Sequence, residues 1–414
     1  MKLRQLLTCF FLIVVAKAHG QVSTNAFETF AVKQDSLFVQ AYEQKDTVSY
    51  HKLLAEFLVE YNKLTVNEQK NYSNYLNGAY YNLCCTYSLL NKKQVALTYL
   101  NKAIDAGFMD YKHILEDTDL DAIRNEQEFL VINTKLRSRA DFLYILKNAE
   151  KYNNADTRPL PPFTYQSSDN PNLVALRKAF NLDSIAGNGS EVLKILNLLH
   201  WIHNLIPHDG NTENPVVKNA MSMIATCKLE NRGLNCRGLA TVLNECYLSI
   251  GIKSRIVTCL PKDSLKIDKD CHVINAVYSA VLKKWLWIDP TFNAYVMNEH
   301  GELLSIEEVR ERIIHEKPLI LNPDANWNNK NAQSKDYYLL TYMAKNLYLL
   351  ECPVNSAYNM ETRANGKEIS YIQLAPLDYF QQKPDKSEQK DEKSSTTWII
   401  YKTNNAKLFW QAPY

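Results

Sequence analysis

Three things are scarce in this 414-residue chain, and each scarcity excludes something. Net charge is nearly absent: 47 Lys and Arg stand against 45 Asp and Glu, a balance of +2. There is no broad basic field of the kind that nucleic-acid binders carry. Long apolar runs are missing beyond the first residues, so nothing later in the chain reads as a membrane span. Paired cysteine motifs are missing too. The nine cysteines are irregularly spaced with no Cys-x-x-Cys, which excludes a disulfide scaffold and leaves most of them as small buried apolar residues. What remains is the composition of an ordinary globular protein, Tyr-rich and long enough for two or three domains.

The first twenty residues read as an export signal. Met1-Lys-Leu-Arg4 is a short basic start, Leu6 to Ala16 is apolar, and Ala16-Lys-Ala18 has the small-x-small pattern of a cleavage site. Cys9 lies inside the apolar run rather than after it, which argues against a lipid anchor. The expected location is periplasmic or secreted, an environment in which disulfides are permitted.

From about residue 25 to 150 the pattern is helical. Leu53, Leu54, Phe57, Leu58 and Tyr61 recur at three and four. Tyr80, Leu83, Cys84 and Tyr87, then Ala96, Leu100 and Ala103, follow the tetratricopeptide helix-turn-helix pattern, with Asn91-Lys92-Lys93 as the turn. The segment resembles one such repeat, packed on degenerate neighbours because one repeat cannot bury its own face. Asp117 to Phe129 reads as a closing helix. Residues 151–171, rich in Asn, Pro, Ser and Asp, have linker chemistry, and residues 172–380 follow as the main domain. Residues 381–395, charged and Ser-rich, read as a mobile loop. Within 396–414, Thr396 to Tyr401 reads as a strand and Leu408-Phe-Trp410 as another. The expected fold class is α+β, a helical domain followed by a mixed one.

The chemistry begins at Gly233-Leu-Asn-Cys236-Arg-Gly. Cys236, Leu239, Leu243, Cys246 and Ile250 form one stripe at helical spacing, Asn235 is a good N-cap, and Gly251 a good stop. Cys236 then occupies the first turn, where unpaired N–H groups and the helix dipole favour a thiolate. Taken alone it reads more readily as a packing residue. Downstream, Asp270-Cys-His272-Val-Ile-Asn and Lys284-Trp-Leu-Trp-Ile-Asp289-Pro-Thr read as a hairpin. A turn centred on Ala280-Val281 puts His272 opposite Asp289 with Cβ atoms ~5 Å apart; a turn one residue later makes them diagonal neighbours, still within reach.

The order of a helix-start Cys, Gly251-Ile-Lys-Ser-Arg255, His272 and Trp287-Ile-Asp289-Pro-Thr291 resembles the transglutaminase-like superfamily over roughly residues 193–293. The resemblance implies a papain-like α+β core with Cys236 as nucleophile, His272 as general base and acid, and Asp289 as the group orienting the imidazole. It implies structural roles for Gly251 and Arg255. The chain departs from the family in carrying Arg237, a bulky cation near the mouth of the site, directly after the cysteine. A side-chain oxyanion donor is sought among Trp201, Asn204 and His208, in Trp201-Ile-His-Asn-Leu-Ile-Pro-His-Asp-Gly210. Trp201 also reads as helix core, and His203 and His208 as surface histidines. A zinc site from Cys227, Cys236, Cys271 and His272 matches no familiar ligand spacing and leaves Asp289 unexplained. There is no acidic loop to suggest calcium dependence, so no metal or cofactor is expected. The expected activity is acyl transfer on a protein or peptide substrate, cell-envelope peptides among them, most simply amide hydrolysis. The alternatives are a cross-linking transglutaminase, a peptide-binding scaffold with a non-catalytic domain, and a structural envelope protein.

Overall fold

The computed structural model describes residues 26–263, 270–381 and 385–413. The export signal expected over residues 1–20, with Cys9, lies outside them. No helix of the described residues is long and apolar enough to cross a membrane. The chain divides into two compact units, 1–140 and 141–414.

The first unit is helical. Ala26–Glu43, Thr47–Tyr61, Ser73–Leu89, Lys93–Asp105 and Gln127–Ala140 are its longer helices. Asn91 turns the Ser73–Leu89 helix into Lys93–Asp105 with φ of 56°, a left-handed conformation that Asn tolerates better than most residues. Leu83 and Cys84 face Ala96, Leu100 and Ala103 in its core, the alanines permitting close approach. The helix expected over 117–129 does not form. Asp117 instead accepts from Asp119 N at 3.0 Å and opens a three-residue 3-10 turn, and the closing helix starts only at Gln127. An Asp that bonds its own downstream backbone competes with the helix it would otherwise join.

The second unit begins earlier than the sequence suggests. Phe142–Lys147 is already a helix whose Leu146 enters the core of this unit. The stretch 151–171 is not a free linker either. Asn153 N donates to Asn404 O at 2.9 Å, and Thr164–Tyr165 pairs in parallel with Asn355–Ser356. Polar, Pro-rich composition describes a segment that lacks regular structure; it does not say whether that segment is packed.

Seven strands form the main sheet: β1 (Ser254–Leu260), β2 (His272–Ser279), β3 (Lys284–Ile288), β4 (Leu349–Pro353), β5 (Glu368–Leu374), β6 (Lys386–Lys390) and β7 (Thr397–Thr403). Their order is β6-β7-β5-β4-β1-β2-β3, with β5 and β7 parallel and every other neighbouring pair antiparallel. Both faces are covered. Val277, Leu286 and Ile288 join one apolar cluster with the helices Glu191–Leu205 and Cys236–Ser249. The alternate residues Ile274, Ala276, Trp285 and Trp287 join another. Arg255 lies within this sheet, its guanidinium 4.2 Å from the Phe163 ring and 4.4 Å from Trp285, donating to Phe409 O at 2.8 Å.

Two expectations at the C-terminus are corrected. Lys386–Lys390, inside the supposed loop, is an edge strand on β7. Its charged side chains guard an exposed edge against further pairing, which is why its composition looks disordered. Leu408 and Phe409 fall in a one-turn helix, Ala406–Phe409, capped by Asn405, where a strand was expected. The terminus still returns to the body, since Trp285 Nε1 donates to Trp410 O at 3.0 Å.

Candidate active site

Cys236 opens the helix Cys236–Ser249. Asn235 caps it by accepting from Gly238 N at 3.2 Å, and Asn214 in turn donates to Asn235 Oδ1 at 2.7 Å. The cap satisfies one of the first-turn N–H groups, and the sulfur's residue stands at the positive end of the helix dipole. Gly251 closes the far end at φ of 83°.

His272 is the first residue of β2, and Asp289 follows the last of β3. Ser279 pairs with Lys284 and Asn275 with Ile288, so the turn is the later of the two considered and the residues are diagonal neighbours on one face. Glu191 fixes this turn by accepting from Ala280 N at 2.8 Å and Val281 N at 3.0 Å. His272 Nε2 lies 2.7 Å from Asp289 Oδ2, with the two side chains 1% and 0% exposed. The carboxylate is fully occupied. Tyr338 OH donates to the same Oδ2 at 2.6 Å, and Thr291 N and Phe292 N donate to Oδ1 at 2.9 and 3.3 Å. Trp287 Nε1 donates to Tyr338 OH at 3.1 Å. An indole can only donate, so it turns the tyrosine hydroxyl hydrogen toward Asp289. Tyr338 begins a π-helical turn, Tyr338–Met343. From its other end Tyr342 packs edge-on against the imidazole, with its OH 3.4 Å from Nδ1.

With Nε2 held by Asp289, Nδ1 beside Tyr342 OH is the ring nitrogen available to serve the sulfur. Burial pushes the Cys236 thiol up, but the adjoining His208 and His272 imidazoles outweigh it and bring the thiol down to about 6. Burial by itself would lower His272; the Asp289 charge and hydrogen bond, with the bond to Cys236, raise it to about 10. Both shifts run in the direction that favours a thiolate beside an imidazolium.

Of the three support candidates, only His208 is placed beside Cys236, bridged to Leu234 two residues before it. Trp201 is half-buried and packs against the helical core with its ring 5.8 Å from Phe180, and Asn204 is exposed. His203, expected at the surface, is buried and bonds Pro290 O at 3.0 Å and Asn326 Oδ1 at 2.9 Å, steadying the turn after Asp289. Arg237 is not a free cation at the mouth of the site. Its guanidinium bonds Glu361 Oε1 at 2.6 Å and Thr258 Oγ1 at 2.7 Å, and Tyr371 OH donates to the same carboxylate oxygen at 2.8 Å. Cys271 is half-buried, with its carbonyl oxygen 4.0 Å from Cys236 Sγ; burial and the neighbouring Cys236 push its thiol up to about 11. Cys227 packs with Met223 and Ile224 in the helical core.

The residues missed in the sequence are Tyr338, Tyr342, Trp327 and Asn328. Trp287 carried a readable signal: it stands two residues before Asp289 on a strand, hence on the same face.

Residues 178–290 match the family model of the transglutaminase-like superfamily. All three of Cys236, His272 and Asp289 fall inside the match. That stretch is a transglutaminase-like domain. The other likenesses are partial. A chloroplast protein of Arabidopsis thaliana is 41% identical over 51 residues, 12% of this chain and 15% of that protein. A solved protein from Cytophaga hutchinsonii, provisionally named a cysteine protease, is 17% identical with a TM-score of 0.23, over 31% of this chain and 40% of its own. The chain therefore spans well under two thirds of either relative. The transglutaminase-like domain ends its match one residue past Asp289, before Trp327, Tyr338 and Tyr342 are reached.

Proposed function

We propose that the second unit is a cysteine acyl-transfer enzyme in which Cys236 is the nucleophile, His272 the proton carrier and Asp289 the group that orients and charges the imidazole. What supports the reading is one row: a helix-start sulfur, an imidazole beside it, and a buried carboxylate 2.7 Å behind that imidazole. The thiolate adds to an amide or ester carbonyl, and the imidazolium gives its proton to the departing amine or alcohol. The acyl group is left on sulfur for water or an amine to remove. Because His272 rather than Cys236 holds the proton near neutrality, the nucleophile is charged before substrate arrives, and the proton is already on the group that must deliver it.

The substrate is a protein or peptide, and water is the acceptor, which makes the reaction amide hydrolysis; the setting is the periplasm or the exterior. The test is incubation of the full chain with a peptide and peptidoglycan-fragment library, with and without added amine, against Cys236→Ala. Products that depend on Cys236 and do not require amine are expected. Products that appear only with amine make the protein a cross-linking transferase. No Cys236-dependent product under either condition refutes the enzyme reading.

A further inference from the structure

His208 stands outside the His272–Asp289 row, yet the fold sets it beside Cys236, bridged to Leu234 two residues before the sulfur. The backbone brings it there. Pro207 to Asp209 runs alongside Gly233-Leu234: Leu234 N donates to Pro207 O at 3.1 Å, Asp209 N donates to Leu234 O at 2.8 Å, and His208 and Leu234 form a parallel bridge. A Cβ at residue 233 would lie 2.4 Å from Pro207 O, so only glycine lets this strap lie against the segment leading into the nucleophile.

Its orientation is fixed from a third place, the hairpin Asn326–Trp327 with Asn331–Ala332. Asn328 Oδ1 accepts from His208 N at 2.6 Å and Asn328 Nδ2 donates to His208 O at 3.0 Å, holding both backbone groups at once. Trp327 Nε1 donates to His208 Nδ1 at 3.1 Å. Because an indole N–H can only donate, Nδ1 is an acceptor, and an imidazole accepting at Nδ1 carries its hydrogen on Nε2. That leaves Nε2–H, the one remaining polar atom of the ring, to face the sulfur.

Resting on the reading of Cys236 as an acylating nucleophile, we propose that His208 Nε2–H is the side-chain donor of the oxyanion hole, and that Trp327 and Asn328 are positioning residues that fix its tautomer and place. When the thiolate forms its bond to a carbonyl carbon, the π pair moves onto oxygen. That oxygen accepts from His208 Nε2–H and the Cys236 N–H without taking a proton, and returns its pair when the leaving group departs. His272 is committed to the leaving group's proton, so the oxyanion needs a donor of its own. His208 suits that role on two counts. Its other nitrogen is bonded to an indole rather than a carboxylate, and its hydrogen therefore stays in place through the cycle.

The test compares two reactions of the same sulfur in the full chain. Acylation by p-nitrophenyl acetate passes through an oxyanion, and its nitrophenolate leaves without needing the His272 proton. Alkylation by iodoacetamide is a displacement at a saturated carbon and makes no oxyanion. At a pH where the thiol is ionised in every variant, His208→Ala is expected to slow acylation roughly 100-fold while alkylation changes less than about threefold. His208→Gln, which keeps an N–H donor, should recover part of that loss, and Trp327→Phe should fall between wild type and His208→Ala. Nitrogen-15 NMR of wild type should show the His208 hydrogen on Nε2. Equal slowing of acylation and alkylation in His208→Ala, or a hydrogen found on Nδ1, overturns the proposal while leaving the nucleophile intact. Absence of any Cys236-dependent acylation in wild type overturns the enzyme reading and this proposal with it.

Discussion

The thiolate–imidazolium pair makes a sharp prediction about the pH dependence of alkylation, and its size can be worked in advance. With the thiol at about 6, about nine-tenths of Cys236 is thiolate at pH 7, against about one-hundredth for an ordinary thiol near 9, a gain of roughly 90-fold. A less basic thiolate is also a weaker nucleophile. A Brønsted slope of about 0.4–0.5 over about three units takes back roughly 15- to 30-fold. The net advantage at pH 7 is therefore only about three- to sixfold, and a single rate measurement discriminates poorly. The midpoint of the profile discriminates well. Iodoacetamide alkylation of wild type, followed from pH 4 to 10 with mass spectrometry of the modified peptide, should rise through a midpoint near 6 and then level off. Cys271 will not confuse the result, since its thiol is pushed up to about 11, and the other described cysteines are buried. In His272→Ala the midpoint should climb by at least about two units, because the charge that offsets burial is gone. A wild-type midpoint at 8.5 or above, or a plateau that survives Cys236→Ser, would refute the ion pair and with it the pre-charged nucleophile.

Asp289→Asn should raise the same midpoint by at least about one unit and slow acyl transfer by roughly 10³-fold, since the imidazolium loses its counter-charge; transfer within tenfold of wild type counts against an orienting role for Asp289. Tyr338→Phe removes one donor from Asp289 Oδ2 and leaves the buried Trp287 Nε1–H without its partner. A stability loss of about 2–4 kcal/mol in urea unfolding is expected, with a loss under 0.5 kcal/mol indicating that the hydroxyl is dispensable. Buried Glu245 accepts from Ala220 N at 2.7 Å and Asn359 N at 2.8 Å, and burial raises its carboxyl to about 8. A folded-state value above the unfolded one gives stability that is full below about pH 4.5 and is lost as pH rises through about 8, so urea unfolding of wild type should weaken across that window and Glu245→Gln should flatten the curve. An unchanged slope in the variant assigns the pH dependence elsewhere.

The parts of the site that could be read from the sequence are those built by local rules. Asn235 as a cap, Gly251 as a stop and the stripe from Cys236 onward define the nucleophile helix without reference to anything distant. Alternation alone brings His272 and Asp289 into one hairpin, but it leaves two registers open. The choice between them is made by Glu191, whose carboxylate holds Ala280 N and Val281 N from about 90 residues away. Nothing local to the hairpin encodes that contact. The same limit applies to the linker and edge strand: composition reports how much apolar surface a segment can bury, while 151–171 and 386–390 are held by backbone hydrogen bonds that any composition can make.

The oxyanion candidates show the limit most clearly. Trp201, Asn204 and His208 lie in one short run and offer comparable chemistry. Trp201 and Asn204 share the helix Glu191–Leu205, which lays the half-buried indole against the core and turns the amide to solvent. His208 follows Pro207, where the helix has ended and the chain is free to lie beside Gly233. Gly233 is plain in the sequence, but its reason is the Pro207 carbonyl it must admit. The hydrogen that His208 presents is decided by Trp327, more than a hundred residues further on and beyond the end of the family match. A residue's kind can be read locally, whereas which of its two nitrogens carries the proton is a property of the folded neighbourhood. Replacing Trp327 should therefore alter acylation at Cys236 without touching any member of the Cys236–His272–Asp289 row.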